Sequence, residues 1–313
     1  MTYDKLVLVT RKTRLQQLVA RFNSRGQAKF YLEHAGGDFA DYQREDDAYA
    51  RSLEVLHRTL DGTLKLHAID REIVPTFLFA PGDAVVTLGQ DGLVANVAKY
   101  AGAQPIVAIN PDPQRFDGVL LPFAPVEAAT AVARLVEGKA RLRPVTLAEA
   151  RLADGQRLLG FNDLFIGARS HVSARYTLRA SGATETQSSS GVLISTGAGS
   201  TGWLSSVFNM AAGIAAFTGG SAGTPPSLAW EDPRLVYVVR EPFASRHSQR
   251  ALVAGVIGPG ESLELASLMP SGGVIFSDGI EADALAFDSG AVARISAAAR
   301  RTQLVVRAWG RRA

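Results

Sequence analysis

Between Ser189 and Trp203 the chain reads SSGVLISTGAGSTGW: an apolar strand, Val192 to Ile194, empties into a turn where Gly197, Gly199 and Gly202 alternate with Thr196, Ser200 and Thr201. Glycine there admits close backbone approach or a positive φ, and the hydroxyls are neutral donors and acceptors. Such a turn can wrap the polar oxygens of a ligand, a nucleotide being the natural guest, although the same residue types also build plain connectors. A second stretch, AVVTLGQDG at 84–92, drives another apolar strand into Gly89-Gln90-Asp91-Gly92 and sets one carboxylate at its mouth. Ligand clefts favour strand ends and domain boundaries, so the two junctions suit two walls of one pocket.

Further polar groups stand near these turns in the pattern. Asp91 follows a strand and precedes a helix, a position where an aspartate ordinarily caps the helix N-terminus. The next strand, PIVAIN, ends in Asn110 and runs into the polar stretch PDPQRFDGVLLPF, expected at the same edge of the sheet. Asn162-Asp163 sits inside FNDLFIG among large apolar side chains, where an Asn-Asp pair is costly unless it caps a local turn or bonds a ligand. The five histidines share no i, i+4 or HExxH spacing and there is no cysteine, which leaves no His-based or thiolate metal site and no cysteine catalysis.

The elements that must carry these residues alternate over the first 140 positions. Strands are expected at 5–10, 63–69, 84–88 and 105–110, with helices at 14–22, 48–60, 93–101 and 126–137. That alternation implies a parallel sheet covered on both faces. After about Arg143 short strands separated by turn residues take over, at 157–167, 172–180, 191–195, 235–240, 251–257, 262–268, 274–277, 291–295 and 303–307. One helix, 203–216, interrupts them directly after the glycine turn, where its N-terminal amides can face a ligand. The segment TGGSAGTPPS at 218–227 reads as a flexible loop. The fold class is therefore an α/β nucleotide domain, 1–143, followed by a β-rich domain, 144–313, whose last residues could pack back on the first.

Composition bounds the rest. The 313 residues are 47% hydrophobic and 20% charged, enough apolar material for a sizeable core and two domains. The net charge of +3 comes without any block of basic residues, although Arg300, Arg301, Arg307, Arg311 and Arg312 crowd the C-terminus. Anionic small molecules suit that balance, and nucleic acid does not, for want of a basic stripe with interleaved aromatics. No signal-type or bilayer-spanning apolar run is visible, which leaves the cytoplasm as the expected compartment and no membrane partner.

Taken in order, GQDG at 89–92, Asn110, Asn162-Asp163 and STGAGSTGW at 195–203 resemble the motifs of the NAD kinase family: a GGDG loop, an asparagine after the next strand, an Asn-Glu pair, and a threonine- and glycine-rich loop ending in an aromatic residue. The mitochondrial-type branch is the nearer likeness, through NPDPQRFDGVLLP at 110–122, FNDLFIG at 161–167, SSGVLISTGAGSTGW at 189–203 and REPF at 240–243. The resemblance spans most of the chain and is weakest over 11–70. It implies an enzyme that moves the γ-phosphoryl group of ATP to the 2′-hydroxyl of the adenosine ribose of NAD, with the site between an α/β and a β-rich domain. It further implies that Asp91 orients or deprotonates the attacking hydroxyl and that Gly89 and Gly92 let the loop backbone approach phosphate. Asn110, Asn162, Asp163, Thr196, Gly199, Ser200, Thr201 and Trp203 then bind the nucleotides, Asn162 and Asp163 holding the nucleoside and Thr201 and Trp203 flanking its base. Mg²⁺ is expected with ATP, held mostly by phosphates and water, and so is a homo-oligomer, a dimer first.

The chain departs from that pattern at Gln90, where the family has glycine, at Leu93 in place of threonine, and at Asp163 in place of glutamate. Asp278-Gly279 in FSDGIEADAL matches a late Asp-Gly element of the family and equally a plain hairpin turn. Two other functions fit the same residues: a kinase for another hydroxyl, on a lipid or a sugar, and a non-catalytic NAD(P) sensor whose phosphate cradle Gln90 has spoiled. A dinucleotide-fold oxidoreductase is excluded by the absence of glycine after the first strand, where Val9-Thr10-Arg11-Lys12 stands.

Overall fold

A computed structural model describes residues 2–307, which divide into two compact units: 2–143 with 303–307, and 144–302. Arg311 and Arg312, and the packing expected of the last residues from 308 on, lie outside the described residues.

In the first unit the elements are β1 (Lys5–Thr10), α1 (Arg14–Phe22), α2 (Arg25–His34), α3 (Phe39–Leu60), β2 (Lys65–Asp70), β3 (Asp83–Leu88), α4 (Asp91–Tyr100), β4 (Pro105–Ile109) and α5 (Ala128–Val136). The strands run parallel in the order β2-β1-β3-β4. Every residue of β3 and β4 is buried, which accounts for their unbroken apolar sequences: a parallel strand between two helical layers has no solvent face. The registers Val9↔Thr87 and Thr87↔Ala108 bring the C-terminal ends of β1, β3 and β4 to one edge. Tyr49 of α3 ties that edge together, its hydroxyl accepting from Arg11 N at 3.0 Å and donating to Leu88 O at 3.0 Å.

Helix α2 was not expected, and α3 begins at residue 39 rather than 48. Its first turns, FADYQREDD, show no apolar stripe because ion pairs hold them instead. Glu45, 4% exposed, pairs with Arg11 and Arg14, and Asp41 pairs with Arg14 at 2.9 Å and Arg115 at 2.7 Å. A polar cap, Asp38 Oδ1 accepting from Ala40 N, starts the helix.

The second unit is built from β5 (Arg141–Leu152, beginning just before it), β6 (Arg157–Gly160), β7 (Asp163–Ala168), β8 (Ala174–Ala180), β9 (Ala183–Ser189), β10 (Val192–Ser195), α6 (Trp203–Phe217), β11 (Leu235–Val239), β12 (Ala254–Ile257), β13 (Leu263–Ser267), β14 (Gly273–Ser277), β15 (Ile280–Ala286) and β16 (Val292–Val306). Antiparallel β12-β11-β10-β7-β14-β15 form one sheet, and β16, β13, β8 and β9 lie side by side in the other. An apolar core including Ile166, Tyr176, Ile194, Leu265 and Phe287 fills the unit.

Several boundaries differ from expectation. The stretch 157–167 is two strands broken at Phe161-Asn162, and 291–295 and 303–307 are parts of one strand, β16, whose end pairs with β4. Strands β5, β9 and β15 were missed. In β9 the inward positions are Glu185, Gln187 and Ser189, polar groups satisfied by Tyr176 and by the backbone of Ala251 and Leu252, so the usual apolar alternation is absent. Residues 218–227 form no regular element.

Candidate functional site

Gly89, Asp91, Gly92 and Asn110 belong to the first unit, and the other site candidates to the second. In the first unit α4 starts at Asp91 immediately beyond β3, so its leading amides emerge at the C-terminal edge of the sheet. Asp91 does not cap this helix. Gln90 occupies the cap position in extended conformation and makes no side-chain cap bond, whereas Asp91 Oδ1 accepts the backbone N–H of Leu120 at 2.7 Å. The half-buried carboxylate is thereby aimed by the loop that follows Asn110, with Oδ2 holding no hydrogen bond to the described residues.

Asn110 organises that loop. Its buried side chain donates to Phe116 O at 2.9 Å and accepts from Asp112 N at 3.0 Å, and its backbone N–H donates to Phe123 O. Gly118, at φ 61°, sits where a Cβ would press on the Asn110 amide, a place for glycine by both conformation and space. Arg115 anchors the loop to Asp41. The Arg115 and Arg14 guanidiniums hold the Asp41 carboxyl down at about 2.

The glycines of the two turns differ in what a side chain there would meet. Gly197, Gly199 and Gly202 have no positive φ. A Cβ on Gly199 would fall on the carbonyl of Asn162, and one on Gly197 on the carbonyl of Ala229. The close approach they allow is between segments of the chain itself. At Gly92 a Cβ would meet open space, and at Gly89 the side chain of Leu93.

In the second unit the break between β6 and β7 and the turn after β10 lock together. Thr196, fully buried, accepts from Gly199 N at 3.2 Å and donates to Phe161 O at 2.6 Å, while its own N–H donates to Asn162 O at 2.9 Å. Ser200 Oγ turns back to Gly197 O at 2.8 Å. These two hydroxyls, expected to meet ligand oxygens, are spent on shaping the turn, and a ligand contact from either would use its remaining lone pairs. By contrast the side chains of Asn162, Asp163 and Thr201 make no hydrogen bond to the described residues; Asn162 is half-buried, Asp163 8% exposed and Thr201 exposed. Trp203 stacks on Phe165, ring centres 5.6 Å apart and 14° from parallel, with Arg240 over both rings at 5.3 and 5.9 Å. One indole face is thus already covered by protein.

Asp278 is the residue whose role the sequence left open. From the β14–β15 turn its carboxylate accepts from Phe161 N at 2.9 Å, Asn162 N at 2.6 Å and Asp163 N at 3.3 Å. Burial, and then the neighbouring Asp278 charge, push Asp163 up to about 7. The signal was the Asp-Gly pair itself, but nothing local tells a hairpin aspartate from one that grips another turn.

Solved structures with this fold include two kinases. The yeast NADH kinase, complexed with NADH, superposes with a TM-score of 0.60 at 16% identity, over 98% of this chain and 85% of the kinase. The NAD kinase from Archaeoglobus fulgidus, in complex with ATP, gives 0.56 at 16% identity, over 96% and 93%. The fold is that of the NAD kinases. No protein-family model matches the sequence, and no curated protein matches it. The chain is thus similar to these kinases over nearly its whole length in backbone path rather than in sequence.

No helix among the described residues is long and apolar enough to cross a membrane. Nor do those residues contain a group of three or more His, Asp or Glu side chains that could hold a metal ion.

Proposed function

We propose that the chain transfers the γ-phosphoryl group of ATP to the 2′-hydroxyl of the adenosine ribose of NAD, giving NADP. The observation that carries this reading is the Asn162-Asp163 turn. Two adjacent polar side chains, one of them almost fully buried, are presented without a hydrogen-bond partner among the described residues by backbone that Thr196 and Asp278 hold in place. Leaving such groups bare costs free energy unless a ligand satisfies them, and an amide beside a carboxyl matches the base and ribose hydroxyls of a nucleoside. The two kinases sharing the fold were solved with NADH and with ATP, which supports a dinucleotide acceptor and a nucleotide donor.

In this reading Asp91 is the catalytic group. Phosphoryl transfer asks chiefly for alignment and charge neutralisation. Leu120 N–H fixes one oxygen of Asp91, leaving the other to take the proton of the attacking hydroxyl. Gly89 and Gly92 leave the α4 N-terminus open for phosphate, and Thr201 and Trp203 border the base with the outer indole face. Mg²⁺ would enter with ATP, held mostly by phosphates and water, and would neutralise the phosphate charge. Whether the dinucleotide is NAD or NADH is set by the nicotinamide end. The assembly is proposed to be a homodimer and the likeness to the mitochondrial-type branch to be one of kinship, both resting on the sequence resemblance.

The test is purified protein with ATP, Mg²⁺ and either NAD or NADH, reading NADP(H) with a dehydrogenase specific for it. Turnover supports the reading. Calorimetric binding of NAD without turnover with ATP, other nucleoside triphosphates or polyphosphate would replace it with the sensor, and phosphorylation of a lipid or sugar alone with the other kinase.

A further inference from the structure

We propose that Asp278 is a positioning residue for the nucleoside, fixing the Asn162-Asp163 backbone so that both side chains meet the ligand. The inference rests on the NAD-binding reading of that turn and goes beyond it by assigning a group that does not itself touch ligand.

The geometry demands a carboxylate. Phe161 N donates to Oδ2, whereas Asn162 N and Asp163 N donate to Oδ1, so both oxygens must accept. An asparagine would turn its NH₂ on one of these donors, and a glycine would offer neither. The clamp closes from the other side as well, because Asp278 N–H donates to Asp163 O at 3.1 Å. Asp278 stands at φ 54° and Gly279 at φ 70°, a left-handed pair that bends β14 back toward β15. Asp and Gly are the residues that tolerate this conformation. A connector would need only that bend. It would not need its side chain to hold three amides 115 to 117 residues away.

The arrangement also places two carboxylates together. Strands β10 (VLIS) and β14 (GVIFS), which flank β7, carry no charge, and Ser195 stands opposite Asp163 in register. Thr196 brings a hydroxyl from the following turn, and Arg240 is engaged over Phe165 and Trp203. Asp278 is the charged group that acts on Asp163, and repulsion from it favours the proton there. An ionised Asp163 accepts from both hydroxyls of a ribose diol, and a protonated one competes as a donor. Nucleoside binding should therefore strengthen as pH rises through neutrality.

The experiment compares wild type, Asp278→Asn and Asp278→Glu by NAD calorimetry across roughly pH 5 to 9, together with a ¹³C-carboxyl NMR titration of Asp163 in the ligand-free proteins. In wild type the Asp163 midpoint should lie near neutrality and NAD affinity should rise through it. Asp278→Asn should move the midpoint toward the ordinary carboxylate range and weaken NAD at pH 8 about tenfold, the loss of one to two charge-assisted hydrogen bonds. Asp278→Glu keeps the charge but misplaces it, so the midpoint should stay high while affinity falls. ATP affinity should not move in either variant. A folded Asp278→Asn protein with wild-type midpoint and NAD affinity overturns the proposal. If that variant does not fold, Asp278→Glu decides: wild-type NAD affinity in that variant overturns the proposal, and weakened NAD affinity with unchanged ATP affinity supports it. Absence of NAD binding to wild type at every pH, with the Asp163 midpoint still raised, instead overturns the functional reading.

Discussion

Leu120 N–H sits 2.7 Å from Asp91 Oδ1, so the carboxylate at the head of α4 is aimed by a loop 29 residues further on rather than by its own helix. One oxygen is immobilised, and the other makes no hydrogen bond to the described residues. The division matters because a general base is useful only when its free lone pair is held in one direction.

Replacing Asp91 with asparagine keeps the amide contact, since the Asn Oδ1 still accepts from Leu120, and removes the base. Because that hydrogen bond is kept, the variant should stay folded and lose at most about 1 kcal/mol, from the weaker neutral acceptor and the lost charge at the helix N-terminus. Its kcat should fall by about 10² to 10⁴ while the KM for NAD changes little. Steady-state kinetics beside a thermal melt checks this, and unchanged kcat would remove Asp91 from catalysis.

Glycines in the two turns should respond in opposite ways to alanine. Gly199→Ala drives a methyl into the Asn162 carbonyl and should destabilise by about 1–3 kcal/mol or more, with weakened NAD binding. Gly92→Ala meets open space inside the first turn of α4 and should stabilise by about 0.5–1 kcal/mol. If phosphate approaches that backbone, Gly92→Ala should nonetheless raise the KM for ATP. Denaturant titrations and ATP kinetics on the two variants would separate a structural glycine from one kept open for ligand.

Gln90 offers a test of donor recognition. It is exposed, extended and without a cap bond, and its side chain makes no hydrogen bond to the described residues. Gln90→Gly should leave stability within about 0.5 kcal/mol, because the lost side chain capped nothing. If the glutamine narrows the phosphate approach, ATP affinity should increase. Equal ATP binding by calorimetry in both proteins would show that Gln90 points away from the donor.

Asp41 predicts the acid limb of stability. Its carboxyl, held at about 2 by Arg115 and Arg14, stays ionised in the folded chain after the unfolded chain, at 3.8, has taken up a proton. Its contribution is therefore complete above pH 3.8 and is lost as pH falls toward 2. The stability gap between wild type and Asp41→Asn should be constant at neutral pH and shrink over that window. Because Arg115 belongs to the loop that carries Leu120, the variant should also lower kcat more than it raises KM.

Much was written locally in the sequence. The apolar strands β1, β3 and β4, helices α1, α4 and α5 and the positions of the turns at 89–92 and 195–203 follow from periodicity and residue type, which act over one or two turns of chain. Order alone also picked out Asp91 and Asn162-Asp163. Tertiary structure decided which polar groups around them are engaged. Glycines that read as a ligand cradle are kept small by the Asn162 and Ala229 carbonyls. Thr196 and Ser200 are consumed within the turn, and Asp278 reaches back 116 residues to grip Asn162. Polar strands such as β9 and the ion-paired start of α3 were invisible because partners distant in sequence satisfy them. Hydrogen bonds and close contacts between remote segments leave no periodic trace, so only the folded chain shows which polar groups are spent on the fold and which remain for a ligand.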